Sequence, residues 1–531
     1  MLSTFHGLEA ARRGMMAQQA ALYTTSHNIA NANTEGYTRQ RVQLQPTPPF
    51  PTPGLNRPNI PGQMGTGVEA SSVERVREYF LDIQYRGENS KLGYWEARAD
   101  AVAKMEDIMN EPSDSGLAKT MDQFWQALQD LSTQPENEGA RSVVRQRGLA
   151  VVETFHYLSN SLTQIRTDIG TQIGTTVTEI NSLLNQISAL NARIAEIEPN
   201  GYLPNDLYDE RDRLIDELSQ YMEIGVEKHP TGGNALPMAE GTYDVYVMNG
   251  SAKVYLVQGR TASAVSFPDG SDVDGDGVKE MPPASGVNAL DISGTTISFT
   301  ALSNGKLRGL IEGYGYQAGT DASGQPIVKG LYPDMLSNLD KLAYTFGTVF
   351  NAVHQQGYGL NGSTNHPFFD GISAVSGAAN TIKLAANIDD LANIAASTKS
   401  GETGNGNNAI NLANVRSLLL SNATVSLQDG ISVNLASLNL PLSSGTVETN
   451  YQGWIGQLGV DGEQANRMKT NSETLRQSVE EKRQSVSSVS LDEEMMNMIK
   501  FQHAYNAAAR QITVIDEMLD KLINGMGVVG R

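Results

Sequence analysis

Between residues 3 and 31, Leu8, Met15, Leu22 and Ile29 recur every seven positions, with Phe5 and Ala11 beside them. So narrow a stripe predicts a coiled-coil helix, not the wider apolar face of a globular core helix. Asn31, Asn33 and Gly36 supply its stop, because both residue types tolerate the left-handed conformation after a helix end. A second seam closes the chain: Leu491, Met495, Met498, Tyr505, Ala509, Ile512, Leu519 and Leu522. Ser490 and Glu493 read as its capping box and Gly525 as its end. Neither segment is apolar enough to stand alone. Two such helices at opposite ends predict pairing with each other and with neighbouring molecules, which is the behaviour of a polymer subunit. The same one-sidedness predicts that residues 1–45 and 490–531 are poorly ordered in the free monomer and fold on assembly.

The interior alternates between helix and strand. Pro46 to Pro61 is Pro-rich and reads as extended. From about Ser71 to Ile197 the pattern is helical; Phe155, Leu158, Leu162, Ile165, Ile169, Ile173, Val177, Ile180, Leu184, Ile187, Leu190 and Ile194 step by three or four, predicting one very long helix or two in line. Asp206 to Met222 reads as a short helix dense in alternating charge. Tyr243–Val247, the turn Asn249-Gly250 and Lys253–Val257 read as a β-hairpin, and Leu290–Leu302 alternates as well. Met335–Val353 returns to helix, residues 361–445 are short and Gly/Asn/Ser-rich, and a last long helix starts near Thr446. Its seam is Val447, Tyr451, Trp454, Leu458, Ala465, Met468, Leu475, Val479 and Val486, weakened by Gly453, Gly456, Gly459 and Gly462, which would let another helix approach. The expected fold class is α+β, elongated and multidomain, with terminal coiled-coil helices, a long-helix bundle domain and inserted β-rich outer domains. The expected domains are 1–45 with 490–531 (assembly), 46–225 with 310–360 and 446–489 (helical), 226–309 (β-rich insertion) and 361–445 (a second β-rich or irregular insertion).

Composition narrows the function. The 531 residues suffice for several domains at ~150 residues each. A net charge of −20 argues against nucleic acid or an anionic membrane surface as the main partner. Only 18% of residues are charged, which suits subunits packed side by side. There is no cysteine, so disulfides, zinc-thiolate sites and thiol chemistry are excluded. No apolar run approaches ~18 residues, so no membrane-spanning helix is expected. The first residues lack a basic stretch followed by an apolar one, so no cleaved secretory signal is expected, leaving a cytosolic protein or one exported by another route. In the first segment Arg12, Arg13, Arg39 and Arg41 outweigh Glu9 and Glu35; in the last, Asp492, Glu493, Glu494, Asp516, Glu517 and Asp520 outweigh the bases. Opposite biases favour pairing, although at ~0–1 kcal/mol per exposed pair the apolar seam must dominate.

Two stretches carry a family resemblance. Ser26-His-Asn-Ile-Ala-Asn-Ala-Asn-Thr-Glu-Gly-Tyr37 resembles the N-terminal signature of bacterial flagellar axial proteins (rod, hook and hook-associated subunits), and Gln502-His-Ala-Tyr-Asn-Ala-Ala-Ala-Arg510 resembles their C-terminal motif. Glu35 stands where that family often has Pro; Glu is compatible with the same turn. Asn205–Ser219, Phe350–Gly362 and Gly404–Ala413 are similar to segments of the hook-associated branch, whereas hook and rod subunits lack the long helical block at 150–222. The resemblance implies a structural subunit at the hook–filament junction, with no catalytic role and no cofactor. It implies type III export and a tube built from the terminal helices. The implied partners are further copies of the chain, hook protein, hook-associated protein 3 and a cytosolic export chaperone; neither nucleic acid nor membrane insertion is implied. A hook- or rod-type subunit and a secreted calcium-dependent adhesin remain the alternatives.

Other chemistry is thinly supported. Asp272, Asp274 and Asp276 form the first half of a calcium loop. However, the twelfth position is Pro283 where a bidentate Glu is needed, which leaves an acidic surface turn as the plainer reading. Gly404-Asn-Gly-Asn-Asn-Ala409 matches a dinucleotide pattern loosely, but Thr398–Thr403 before it is polar and no strand, so the loop reads as a helix cap. The seven histidines are scattered without metal spacing. His27 reads as an interface residue, and Met15, Met16, Met495, Met496 and Met498 as adaptable packing.

Overall fold

In the computed structural model, which describes residues 5–51, 54, 62–273, 275–321 and 324–525, the first heptad pattern forms helix α1 (Phe5–Ala30). An antiparallel pair follows, β1 (Gln40–Pro46) and β2 (Val68–Arg75). The sequence reading placed helix from Ser71 onward. The strand prevails there because Ser72–Arg75 pair with Gln40–Gln43 of β1, with Ser71 at a bulge, and helix begins only at α2 (Tyr79–Met109). Much of the Pro-rich stretch (52, 53, 55–61) lies outside the described residues. Helices α3 (Leu117–Thr133) and α4 (Glu138–Ile197) come next. The long periodic run is thus one unbroken helix of 60 residues, ~90 Å at 1.5 Å per residue.

Beyond it lie α5 (Asn205–Tyr221) and strands β3 (Gly225–His229), β4 (Thr242–Asn249), β5 (Ala252–Gln258) and β6 (Thr261–Ala262), which form an antiparallel sheet in that order. The predicted hairpin is present: Asn249 pairs with Ala252 across a turn holding Gly250. Strands β7 (Val265–Ser266), β8 (Ala289–Ile292) and β9 (Thr295–Ser298) make a second sheet. Then come α6 (Lys306–Tyr314), the pair β10 (Tyr316–Thr320) and β11 (Pro326–Lys329), and α7 (Leu331–His354). Residues 361–445 hold only short pieces, among them α8 (Ala378–Thr381) and α9 (Asn407–Ala413). Two long helices end the chain, α10 (Val447–Ser487) and α11 (Leu491–Gly525).

These elements make two compact units: Met1–Lys91 with Glu179–Ala264 and Ser472–Arg531, and Leu92–Thr178 with Val265–Asn471. The sheet of β3–β6 belongs to the first and that of β7–β9 to the second.

The first unit is held by charge. Helix α5 is dense in alternating charge, and Asp209, Arg211, Asp212 and Asp216 on it are buried. Asp212 lies 2.9 Å from Arg75, 3.4 Å from Arg77 and 3.2 Å from Arg86. Arg75 also reaches Asp209 at 2.7 Å, and Arg86 reaches Asp216 at 2.7 Å. Arg483 of α10 closes on Asp216 as well, its guanidinium 4.2 Å from the Tyr85 ring. Burial opposes the charge on Asp212, but the guanidinium groups of Arg77, Arg75 and Arg86 outweigh it and hold the carboxyl far below the ordinary carboxylate range.

The second unit has an apolar centre. Phe124 and Trp125 of α3 meet Phe346 and Phe350 of α7, with Phe368 and Phe369 closing the cluster; Phe124 and Phe350 lie 5.3 Å apart. In α10 the predicted seam buries Val447, Tyr451, Leu458 and Ala465, but Leu475 is exposed. Of its four glycines only Gly462 meets a neighbour: a Cβ there would sit 2.6 Å from Glu106 of α2, whereas Gly453, Gly456 and Gly459 face open space. Asn407–Ala413 does begin a helix behind the Gly404 loop, and a Cβ on Gly406 would collide with the Ser132 carbonyl at the end of α3.

His354 sits beside the aromatic cluster, fully buried. Its Nδ1 lies 2.7 Å from the His366 carbonyl, and its Nε2 accepts from the Ala395 amide at 3.0 Å, so the ring is neutral. Burial pushes its pKa down to about 4. The unfolded chain therefore takes up a proton near pH ~6.5 that the folded unit refuses until about pH 4, and stability falls across that window by up to ~3 kcal/mol. Denaturant melts at pH 7 and pH 4.5 should show this loss, and His354→Gln should shrink it. In the first unit, Asp212→Asn leaves three buried guanidinium groups without their shared counter-charge and should cost ~3–5 kcal/mol in the same melts.

Candidate assembly site

The two terminal segments meet in the first unit. Helices α1 and α11 pack side by side and antiparallel: a Cβ on Gly7 would lie 3.3 Å from Ile515, and Asn28 bonds Glu494. The positions predicted as the seam divide into two groups. Leu8, Met15, Leu22 and Ile29 are half-buried, as are Met498, Tyr505, Ile512 and Leu519, whereas Leu491, Met495 and Leu522 are exposed. The fully buried positions of α1 are the small and polar ones, Ala11, Ala17, Ala21, Thr25 and Asn28. Phe501 and Ile515, not predicted, share the inner face of α11, and their spacing from Met498 and Ile512 by three would have revealed them.

At the end of α1 the signature run makes a hydrogen-bonded knot. Asn28 is buried; its Nδ2 donates to the Gln40 carbonyl at 2.8 Å and to Glu494 Oε2 at 3.2 Å, while its Oδ1 accepts from the Gln40 amide at 3.0 Å and from the Tyr37 hydroxyl at 2.8 Å. With its proton committed to Asn28, Tyr37 accepts from His27 Nδ1 at 2.9 Å, which fixes the protonated nitrogen of that ring. Burial pushes the Tyr37 hydroxyl well above its usual pKa, with Asp206, Asp209 and Glu494 adding to the effect. The turn between helix and strand is left-handed at Gly36 (φ 79°), not at Asn31 or Asn33; Asn31 instead donates from its side chain to the His27 carbonyl.

Arg39 ties the knot to the C-terminal helix. Its Nε donates to Glu494 Oε1 at 2.8 Å, its Nη1 to Glu493 at 2.9 Å and its amide to the Ser487 carbonyl at 2.9 Å. Glu493 is thereby turned away from a capping box. Ser490 still accepts from the Glu493 amide, at 3.5 Å. Glu494 is the only fully buried side chain of α11 among the described residues. The opposite charge biases of the two segments therefore meet at Arg39, while Arg12 and Arg13 pair with Glu9 on their own helix. Helix α5 fastens the other side: Asp209 accepts from the Thr38 amide at 3.0 Å, and Asp206 accepts from the Gln40 side chain at 3.0 Å. Just before β2, a Cβ on Gly67 (φ 112°) would lie 3.2 Å from the Ala10 carbonyl of α1.

Outside this knot the pair presents a broad apolar surface. Met16 and Tyr23 of α1 and Met495, Met496, Ile499, Val514, Met518, Leu522 and Ile523 of α11 are all exposed, Tyr23 at 68% and Ile523 at 73%.

The calcium reading gains no geometry. Asp274 lies outside the described residues; Asp272 accepts from the Gly275 and Gly277 amides at 2.7 and 2.9 Å, and Asp276 from the Val278 amide at 2.7 Å. Among the described residues no group of three or more His, Asp or Glu is placed to hold a metal, and no helix is long and apolar enough to cross a membrane.

Residues 102–369 match the family model described as flagellar hook-associated protein FlgK helical domain. Residues 8–38 match the flagella basal body rod protein model, and 481–525 the flagellar basal body rod FlgEFG protein C-terminal model. The chain is similar to flagellar hook-associated protein 1 of Bacillus subtilis (strain 168), at 45% identity over 100% of both chains. It is also similar to the protein of that name from Salmonella typhimurium (strain LT2), at 27% identity over 97% of this chain and 98% of the relative. The solved structure of the flagellar hook junction protein FlgK from Burkholderia pseudomallei shares the fold, with a TM-score of 0.57 and 14% identity over 76% of this chain and 100% of that one.

Tyr37→Phe removes one donor to Asn28 and the acceptor for His27 without changing the packed volume. It should cost ~1 kcal/mol and speed amide exchange between residues 28 and 40, with little effect in the second unit.

Proposed function

This chain belongs to the flagellar hook-associated protein 1 family, and from that premise we propose that it works as the structural joint between hook and filament, assembling through its paired terminal helices. It is a structural component of the bacterial flagellum. The observation that carries the assembly reading is the exposed apolar surface of α1 and α11. Soluble chains rarely leave so many large apolar side chains of one helix pair in water. Covering them against further copies contributes roughly 1.5–3 kcal/mol per fully buried side chain.

On this reading the assembly residues are Leu8, Met15, Leu22, Ile29, Met498, Tyr505, Ile512 and Leu519 within the pair, with Leu491, Met495 and Leu522 turned toward neighbouring molecules. The assembly domain is 1–45 with 490–531. Residues 46–225, 310–360 and 446–489 form a helical domain, and 226–309 and 361–445 form insertions. The neighbours are hook protein and hook-associated protein 3, and an export chaperone covers α11 in the cytosol. The chain leaves the cell by the flagellar export route and has no catalytic role.

The test changes the outer face alone. Replacing Met495, Ile499, Val514 and Met518 by Gln removes exposed apolar surface and should leave the melting of the purified chain within about 1 kcal/mol. A strain carrying that variant should behave like a deletion strain, with hooks lacking filaments and filament protein released into the medium. Normal filaments in both strains would overturn the reading.

A further inference from the structure

Methionine is concentrated where the chain assembles. Six of its 18 methionines lie in α1 and α11, helices of 26 and 35 residues: Met15, Met16, Met495, Met496, Met498 and Met518. That density is well above the average of the chain. Met16, Met495, Met496 and Met518 are exposed even with the two helices packed together, and Met15 and Met498 are half-buried. In a free monomer with poorly ordered terminal segments all six are open to solvent. Leu or Ile would supply a similar apolar area. A thioether differs from them in one chemical respect, its readiness to take up oxygen. No cysteine competes for an oxidant in this chain.

We propose that these six methionines form an oxidation-sensitive modification site that gates assembly. A peroxide or a hypohalous acid converts them to sulfoxides before the subunit is incorporated, and the modified chain no longer joins its neighbours. With hydrogen peroxide, one oxygen passes to the sulfur, the O–O bond breaks and water leaves. The sulfur loses two electrons, the peroxide gains them, and both S–C bonds stay intact. The product is polar and a hydrogen-bond acceptor where an apolar side chain stood. The exposed neighbours on α11, Ile499, Val514, Leu522 and Ile523, offer no side-chain donor to it. A sulfoxide buried among such residues is left unsatisfied, and one such group weakens the contact by about tenfold. Incorporation covers the thioethers, so the gate acts on the free subunit and not on the finished joint. Methionine sulfoxide reductases reverse the change. The inference rests on the assembly reading and adds its regulation by oxidants.

The test treats the purified full-length chain with hydrogen peroxide until mass spectrometry shows the six methionines oxidised. The chain is then offered to hooks isolated from a deletion strain, and bound chain is counted by immunogold electron microscopy. The oxidised chain should bind at least about tenfold less than the untreated one. Methionine sulfoxide reductases with dithiothreitol should restore binding once mass spectrometry shows the sulfoxides removed. A chain carrying Met15→Leu, Met16→Leu, Met495→Leu, Met496→Leu, Met498→Leu and Met518→Leu, compared with its own untreated form, should bind equally before and after peroxide. Met238 and Met248 are exposed as well but lie outside both helices, so Met238→Leu with Met248→Leu should give no protection. Undiminished binding of the oxidised chain overturns the proposal, and so does a loss that removal of the sulfoxides does not reverse. If the six-Leu chain binds no hooks even untreated, the reductase arm decides alone. Failure of the untreated parent chain to bind hooks overturns the assembly reading and this inference with it. Loss of filaments in the Gln variant described above, with full binding by the oxidised chain, overturns this inference alone.

Discussion

Helix α5 turns its carboxylates inward, and the rest of the first unit is organised around that choice. Asp212 collects three arginines from β2, the turn after it and α2, Asp216 collects Arg483 from α10, and Asp209 holds the backbone of the signature turn. A buried charge without its partner costs several kcal/mol, so these elements are present together or not at all. The interaction is directional where apolar burial is not. It places the β1–β2 pair, α10 and the start of α11 with a directionality that apolar burial alone does not provide. The second unit solves the same problem with phenyl rings, and needs no comparable network.

The periodic segments were legible from the amino acids alone. The long run of α4, the hairpin around Asn249-Gly250, α7 and both terminal helices follow from spacing, because an apolar stripe has only one way to be buried at a given period. The β1–β2 pair was not, since Ser72–Arg75 carries no alternation and owes its conformation to Gln40–Gln43, far earlier in the chain. The alternating charges of α5 were legible, but not what they meet. The arginines that meet Asp209, Asp212 and Asp216 are scattered from Arg75 to Arg483 and are brought together only by folding.

The assembly site was half legible. Large residues announced where the seams run, but the positions that α1 buries most completely are alanines and an asparagine, which no scale of hydrophobicity singles out. Glu494 looked like one of several acids biasing the charge of the last segment. Its separate role appears only with Asn28 and Arg39 beside it, one from the far end of the chain and one from a turn. Charge bias did point to pairing, through one arginine and not four.

The antiparallel lie of α1 against α11 has a mechanical meaning. A pull directed along the axis of α11 strains the Arg39 contacts, the Asn28 contact and each turn of the side-by-side packing simultaneously, so the resistances add. The same helix lifted sideways from its free end gives way turn by turn, each turn alone against the load. A coupling that transmits thrust lengthwise while still allowing its subunits to be inserted one at a time has use for that anisotropy.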